Sequence, residues 1–350
     1  YQFVKEDRPE LFEQIKKRVA EGRWETEGAM WLEADCNLSS GESLIRHILH
    51  GKRFFAEEFG CSDNVILWLP DVFGYSAALP QILKKSGIKY FMTTKLGWND
   101  TNKFPYDTFC WEGIDGSSVL SHLITTKDYL PYPQALTNQN HSTTYNGLEN
   151  ASQLMGTWQR YQNKALSNKV LTCYGYGDGG GGTTPAMVEQ GKRLQKGILN
   201  FPRARFSTVR KFFEDLEVEV AHKDVPTWCG ELYLEYHRGT YTSMAFVKQK
   251  NRSCEFLLQR TETLAALAKL LANAPYPTEQ LDKAWKLLLL NQFHDILPGS
   301  SIADVYEDCA ADYAQIEALC KAVQDSSFAA LSPVCQFTPT TAEQANCVLV

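Results

Sequence analysis

The stretch Asn64 to Ser76, NVILWLPDVFGYS, constrains this chain more than any other. Val65, Ile66, Leu67, Trp68 and Leu69 form an unbroken apolar run, the pattern of a strand buried on both faces of a parallel sheet. Pro70 has no amide hydrogen to give a ladder and ends the strand, which leaves Asp71 just beyond its carboxyl end. In open α/β sheets and barrels, ligands sit at that end. A carboxylate delivered there, ahead of Phe73, Gly74 and Tyr75, is placed for chemistry. The same position also suits a plain cap for the helix that begins near Ala77.

The surrounding segments repeat the theme. Leu11, Phe12, Ile15 and Val19 fall at helical spacing up to Gly22, and AMWLEAD then reads as a strand running into Glu33 and Asp35. NLSSGES starts a second helix with Leu44, Ile45, Ile48, Phe54 and Phe55 on its inner side. A helix from about Ala78 to Ser86 precedes the strand IKYFMTT, which leads into Lys95 and Trp98. This β-α-β-α-β order predicts a parallel sheet with right-handed crossovers. The IDGSS turn inside TFCWEGIDGSSVLSHL predicts an antiparallel hairpin, and the polar stretch from Asp128 to Tyr145 predicts a loop. A helix over Leu148 to Asn163 leads to the strand VLTCYGYG, and a short strand near Ala204 to Phe206 closes the α/β part. Beyond WCGELYLEYHRGTYTS the pattern changes to long helices, roughly Met244 to Ala272, Thr278 to Ile296 and Ile302 to Leu331.

Charge and composition exclude some classes of function. A net charge of -6 without a basic block argues against nucleic acid or an anionic membrane as partner, and no apolar stretch reaches the roughly 18 to 20 residues of a membrane helix. The 10 cysteines show no CxxC pairs, which favours reduced thiols in a cytoplasmic protein. The sequons at Asn37, Asn99, Asn140, Asn150 and Asn251 point the other way.

Three motifs carry chemistry. GDGGGG at 177–182 lacks the signatures of a nucleotide loop, so its glycines are read as letting a ligand or another loop approach Asp178. Asp71 and Asp178 then form two carboxylates at strand ends, the pair that glycoside hydrolysis uses. In NQFHDILPGSS, His294 and Asp295 end an apolar helix before Pro298 and Gly299. A lone histidine there suits a satisfied core residue; an adjacent His-Asp pair suits a metal ligand beside a sugar-hydroxyl acceptor. The other histidines (His47, His50, His122, His141, His222, His237) form no paired ligand spacing.

Together WLPDVFGYSAALPQIL, KLGW, TFCWEG, GYGDGGGG, GELYLEYHRGTYTS and LLLLNQFHDILPGSSI resemble glycoside hydrolase family 38, the class II alpha-mannosidases, especially its cytosolic or vacuolar branch and bacterial relatives. The resemblance implies a zinc-assisted retaining enzyme that removes terminal alpha-linked mannose from oligosaccharides through a covalent glycosyl-enzyme intermediate. It makes Asp71 both nucleophile and zinc ligand, His294 a ligand of the same zinc, and Phe73, Lys95, Trp98 and Asp295 substrate-binding residues. Asp178 is the candidate acid/base, with a raised pKa needed for proton donation. The family's two further zinc ligands belong to a His-x-Asp motif absent here, so the sequence reads as a piece of a longer protein and its zinc site as half present.

The expected fold is α/β: a distorted parallel β/α domain resembling a seven-stranded barrel over 1–225, a three-helix bundle over 226–332, and the start of a β domain over 333–350. The expected location is cytoplasmic, or else vacuolar or lysosomal, with no nucleic-acid or membrane partner and the homo-oligomeric state open. Two other functions fit the residues, a metal-dependent polysaccharide deacetylase and a carbohydrate-binding module without catalysis.

Overall fold

The computed structural model describes residues 1–132 and 142–334, so the sequon at Asn140, His141 and nearly all of the expected β-domain entry lie outside the described residues. The chain divides into two compact units, residues 1–244 with 292–300, and residues 245–291 with the segment from 301 onward.

The first unit opens with α1 (Gln2–Asp7), α2 (Pro9–Ala20) and α3 (Gly41–Phe59), and continues with β1 (Ile66–Trp68), α4 (Leu79–Lys85) and β2 (Tyr90–Thr93). Next come β3 (Thr108–Glu112), β4 (Ser118–Leu123), α5 (Ala151–Arg160), α6 (Pro185–Leu194), α7 (Val209–Val220) and β5 (Thr227–Cys229). Among the described residues the strands form one sheet in the order β1-β2-β4-β3-β5. The pairs β1/β2, β2/β4 and β3/β5 are parallel, with Leu67 opposite Phe91 and Phe91 opposite Ser121. The hairpin β3/β4 is antiparallel, pairing Cys110 with Leu120 around the IDGSS turn. The sheet is thus mixed and mostly parallel, and it includes β5, beyond residue 225.

Both faces of the sheet are covered, which is why β1 reads as a continuous apolar run. Leu67, Leu69, Phe91 and Trp111 pack with Leu44, Ile48, Leu79 and Leu83 of α3 and α4. Ile66, Tyr90 and Met92 pack on the other side with Phe212, Phe213, Leu216 and Val220 of α7. Each such fully buried side chain contributes roughly 1.5–3 kcal/mol of transfer free energy. On α3, Ser40 caps the amino end by accepting from the Ser43 amide, and Gly60 at φ 68° ends it. Ile45, expected on the inner side, is 44% exposed; Leu44, His47, Ile48, Gly51 and Phe55 form that face instead.

Three expected strands form no ladder. In AMWLEAD the chain bends at Gly28 (φ 120°) and Ala29 (φ 61°), and the Trp31 amide donates to the His47 carbonyl of α3. The remainder makes isolated bridges, Ala34 to Phe293 and Cys36 to Tyr75. In VLTCYGYG the Gly175 amide donates to Gly147, and that of Leu171 reaches the His122 ring at 3.4 Å. Residues 204–206 are likewise irregular. In the first two segments amides satisfied by a helix carbonyl, a loop or a side chain are lost to a ladder.

The second unit holds α8 (Ala245–Ala272), α9 (Thr278–Leu290) and α10 (Ala303–Leu331), each packed on the other two. Lys250 bonds Glu317 at 2.6 Å and Gln324 bonds Thr261 at 2.8 Å, so α8 and α10 run parallel. The helix expected to reach Ile296 stops at Leu290. Within the first unit, Gln292 and Phe293 are then extended enough to pair with residues 34 and 35.

The eight cysteines among the described residues are free thiols, and no helix there is long and apolar enough to cross a membrane. The described sequons are engaged in the fold. Asn99 and Asn251 are buried, Asn150 caps α5, and Asn37 donates to Phe73 and Tyr241.

Candidate active site

Pro70 ends β1, and Asp71 follows where the chain turns towards α4. The Thr93 and Thr94 hydroxyls at the end of β2 donate towards the Pro70 carbonyl, tying the two strand ends together. A 3-10 turn over Lys95–Trp98 then brings Lys95 onto Asp71. Gly74 sits at φ 109°, and a Cβ on it would come 2.8 Å from Asn37 Nδ2, so only glycine lets Asn37 reach the Phe73 carbonyl.

Two oppositely directed contacts hold Asp71. Its Oδ1 takes the Lys95 ammonium, and its Oδ2 lies 3.3 Å from His294 Nε2. The same Nε2 is 3.6 Å from Asp295 Oδ2, and one ligand atom each from Asp71, His294 and Asp295 lies within 4.8 Å of the others. The Lys95 ammonium also stands 5.0 Å from the ring centres of both Phe73 and Trp98, a cation-π arrangement. Burial pushes the Asp71 carboxyl up, but the hydrogen bond with His294 and the Lys95 charge outweigh it and hold it below the usual range. Burial likewise opposes the charged form of His294, while Asp71, Glu33 and Asp295 together raise it.

Asp178 is exposed, in the short turn Asp178–Gly180, and two groups hold it. The Tyr145 hydroxyl donates to Oδ1 at 2.5 Å, and Asn146 Nδ2 donates to Oδ2 at 2.7 Å. The 145–146 loop comes in close because residue 177 is glycine: a Cβ there would sit 2.4 Å from Asn146 Oδ1. Burial, the hydrogen bond to Asp178 and the Asp71 charge all raise the Tyr145 phenol, so it stays a neutral donor to Asp178.

One imidazole nitrogen and two carboxylate oxygens are a donor set that suits zinc. His294 is buried, and its Nδ1 has no hydrogen-bond partner, as expected of a ring held for its other nitrogen. The residues present therefore fit three ligands of such an ion, with Asp295, which the family resemblance implied as a sugar contact, joining the cluster.

Residues 1–231 match the Glycosyl hydrolases family 38 N-terminal domain, and residues 235–331 match the Alpha mannosidase middle domain. The chain belongs to glycosyl hydrolase family 38. Within that family it is 43% identical over 92% of its length to Alpha-mannosidase G of Dictyostelium discoideum. It is 40% identical over 94% to human Alpha-mannosidase 2C1. It spans only 28% and 30% of those two proteins. Among solved structures, an alpha-mannosidase from Enterococcus faecalis V583 shares the fold with a TM-score of 0.76 at 20% identity, covering 94% of this chain and 36% of that one.

Against that family background, three residues beside the cluster escaped the sequence reading. Tyr145 lies in a stretch that reads only as polar loop. His237 packs edge-on to Phe73 at 4.6 Å, and burial followed by the Lys95 charge lowers it. Glu33, marked in the sequence only as an acid ending a strand, has Oε2 at 3.6 Å from His294 Nδ1. Burial pushes its carboxyl up to about 7, with His294 opposing and Asp71 and Asp295 adding to the rise. No local pattern marks these residues, because each reaches the site from a different segment.

Proposed function

We propose that this chain carries the catalytic site of a zinc-dependent, retaining alpha-mannosidase that removes terminal alpha-linked mannose from oligosaccharides. The observation that carries the reading is the meeting of Asp71, His294 and Asp295 at the carboxyl end of β1. The names of the two family 38 relatives support the same activity. Because the chain spans under a third of each, the activity is proposed for the protein that contains it.

Asp71, His294 and Asp295 would hold the zinc. Bound there, zinc acts as a Lewis acid and a template for vicinal sugar hydroxyls. Asp71 attacks the anomeric carbon; an Asp71 oxygen–C1 bond forms as the bond from C1 to the leaving oxygen breaks. Asp178 gives its proton to that oxygen, then takes one from the water that cleaves the ester and frees Asp71. The Tyr145 hydroxyl, which donates to Asp178, also feels the Asp71 charge, which supports the two carboxylates serving one pocket. Lys95 keeps Asp71 anionic, and Phe73 and Trp98, both against the Lys95 ammonium, would line the sugar site.

The reading extends to the architecture and location. A barrel-like closure of the first unit and a bundle in the second would match catalytic and middle domains. Free thiols and engaged sequons support a cytoplasmic setting.

Proton NMR of aryl alpha-mannoside hydrolysis, with and without a chelator, tests the proposal. The expected result is alpha-mannose released first, activity lost on metal removal and regained with zinc. Beta-mannose first, or release of acetate from acetylated glycans instead of mannose, contradicts it.

A further inference from the structure

Tyr236 stands beside the site, and neither the cluster of Asp71, His294 and Asp295 nor the sugar contacts named above use it. Its ring lies 6.1 Å from that of Trp98 and 5.2 Å from that of His237, yet the residue is 50% exposed, which leaves ring surface open to a ligand. Two segments are tied together next to this pair. Glu235, buried, accepts from the Asn102 amide at 3.0 Å, from Asn102 Nδ2 at 2.8 Å and from the Thr101 amide. In return Asn99 accepts from the Glu235 amide at 3.0 Å and donates to the Tyr233 carbonyl at 3.1 Å. Asn99 follows Trp98 and Glu235 precedes Tyr236, so these bonds set the two rings side by side before any ligand arrives. A surface ordered in advance loses little entropy on binding.

The pair lies on the Asp178 side of the site. Trp98 Nε1 donates to the Thr143 carbonyl at 2.9 Å, and in the same loop the Tyr145 hydroxyl donates to Asp178. Lys95, in contact with Asp71, stands 5.0 Å from the Trp98 ring, and Tyr236 is one ring further out. The mannosidase reading, on which this inference rests, has Asp178 give its proton to the leaving oxygen, so the group attached to that oxygen departs on this side. We infer that Tyr236, with Trp98, binds the sugar attached to the leaving oxygen, the second residue of the oligosaccharide. A pyranose has an apolar C–H face, and a tyrosine ring offers it a flat apolar surface with few rotatable bonds to fix. Tyr236 is therefore a specificity-determining residue: it favours oligosaccharides over mannosides with a small leaving group.

Steady-state kinetics of the full-length protein on two substrates test it. Alpha-mannosyl fluoride carries fluoride in place of the second sugar and has nothing to set on Tyr236; an alpha-linked mannobiose does. The readout is kcat/KM on the mannobiose divided by kcat/KM on the fluoride. For Tyr236→Ala this ratio is expected to fall about 5- to 10-fold, whereas Tyr236→Phe, which keeps the ring, stays within about twofold of wild type. An unchanged ratio in Tyr236→Ala, whether both substrates slow together or neither does, overturns the inference and leaves the mannosidase reading standing. Equal falls in Tyr236→Ala and Tyr236→Phe overturn the stacking face. A wild type that cleaves neither substrate overturns the mannosidase reading, and the inference with it.

Discussion

Asp71 is pulled two ways: burial favours its neutral form, while His294 and Lys95 favour the carboxylate and prevail. Of the two, Lys95 is the contact that can be removed without touching the cluster of Asp71, His294 and Asp295. For Lys95→Met, loss of the ammonium raises the Asp71 pKa, so the carboxylate forms only at higher pH. The acid limb of the pH-rate profile then moves upward. An unmoved acid limb counts against Lys95 as the charge that holds Asp71. Gly74 gives a steric test of the same loop. At φ 109° with Asn37 in the way, Gly74→Ala is expected to cost about 1–3 kcal/mol in urea unfolding. Phe73, Lys95 and Trp98 lie within a few residues of a strand end, so their nearness to Asp71 was legible, whereas their roles rest on the family resemblance. Glu33, Tyr145 and His237 were not, because their roles come from pairing with distant segments.

Elements were legible where a single periodicity dominated. The apolar run of β1, the IDGSS hairpin and the long helices of the second unit read directly, because burial on both faces, a turn signal or a 3.6-residue stripe leaves one solution. The segments around 29–35 and 170–177 carry strand-like composition, yet their amides bond a helix carbonyl, a loop and a histidine ring, which no local pattern foretells. The close approach of α3 to residues 29 and 30 runs through Gly51, whose added Cβ would meet the Ala29 carbonyl oxygen at 2.3 Å. Gly51→Ala should therefore lower stability by about 2–3 kcal/mol, whereas an effect within about 0.5 kcal/mol would show that α3 can retreat at little cost. On β4, burial lowers the His122 ring to about 3, so the folded state keeps it neutral. Between about pH 3 and 6.5 the unfolded chain binds a proton that the folded one refuses, and stability falls as pH drops through that window. Urea unfolding at pH 7 and pH 5 should show His122→Asn losing about 2 kcal/mol less than wild type over that interval. Equal losses would contradict the neutral, buried ring.

For the whole molecule, the described residues divide into a mixed α/β unit that contains the site and a helical unit of α8, α9 and α10. The first unit takes in 292–300, the return of the chain that supplies His294 and Asp295. That return explains how a site built on β1 and β2 acquires side chains from more than 200 residues downstream. The central claim is that Asp71 is the nucleophile of this site. Its most direct test is the turnover of an aryl alpha-mannoside by Asp71→Asn in the full-length protein, beside a thermal melt. Asn keeps the shape of the side chain and removes its charge. The account predicts a melt close to that of wild type and a loss of turnover of at least about 1,000-fold. A folded Asp71→Asn protein that hydrolyses the mannoside at the wild-type rate would contradict it.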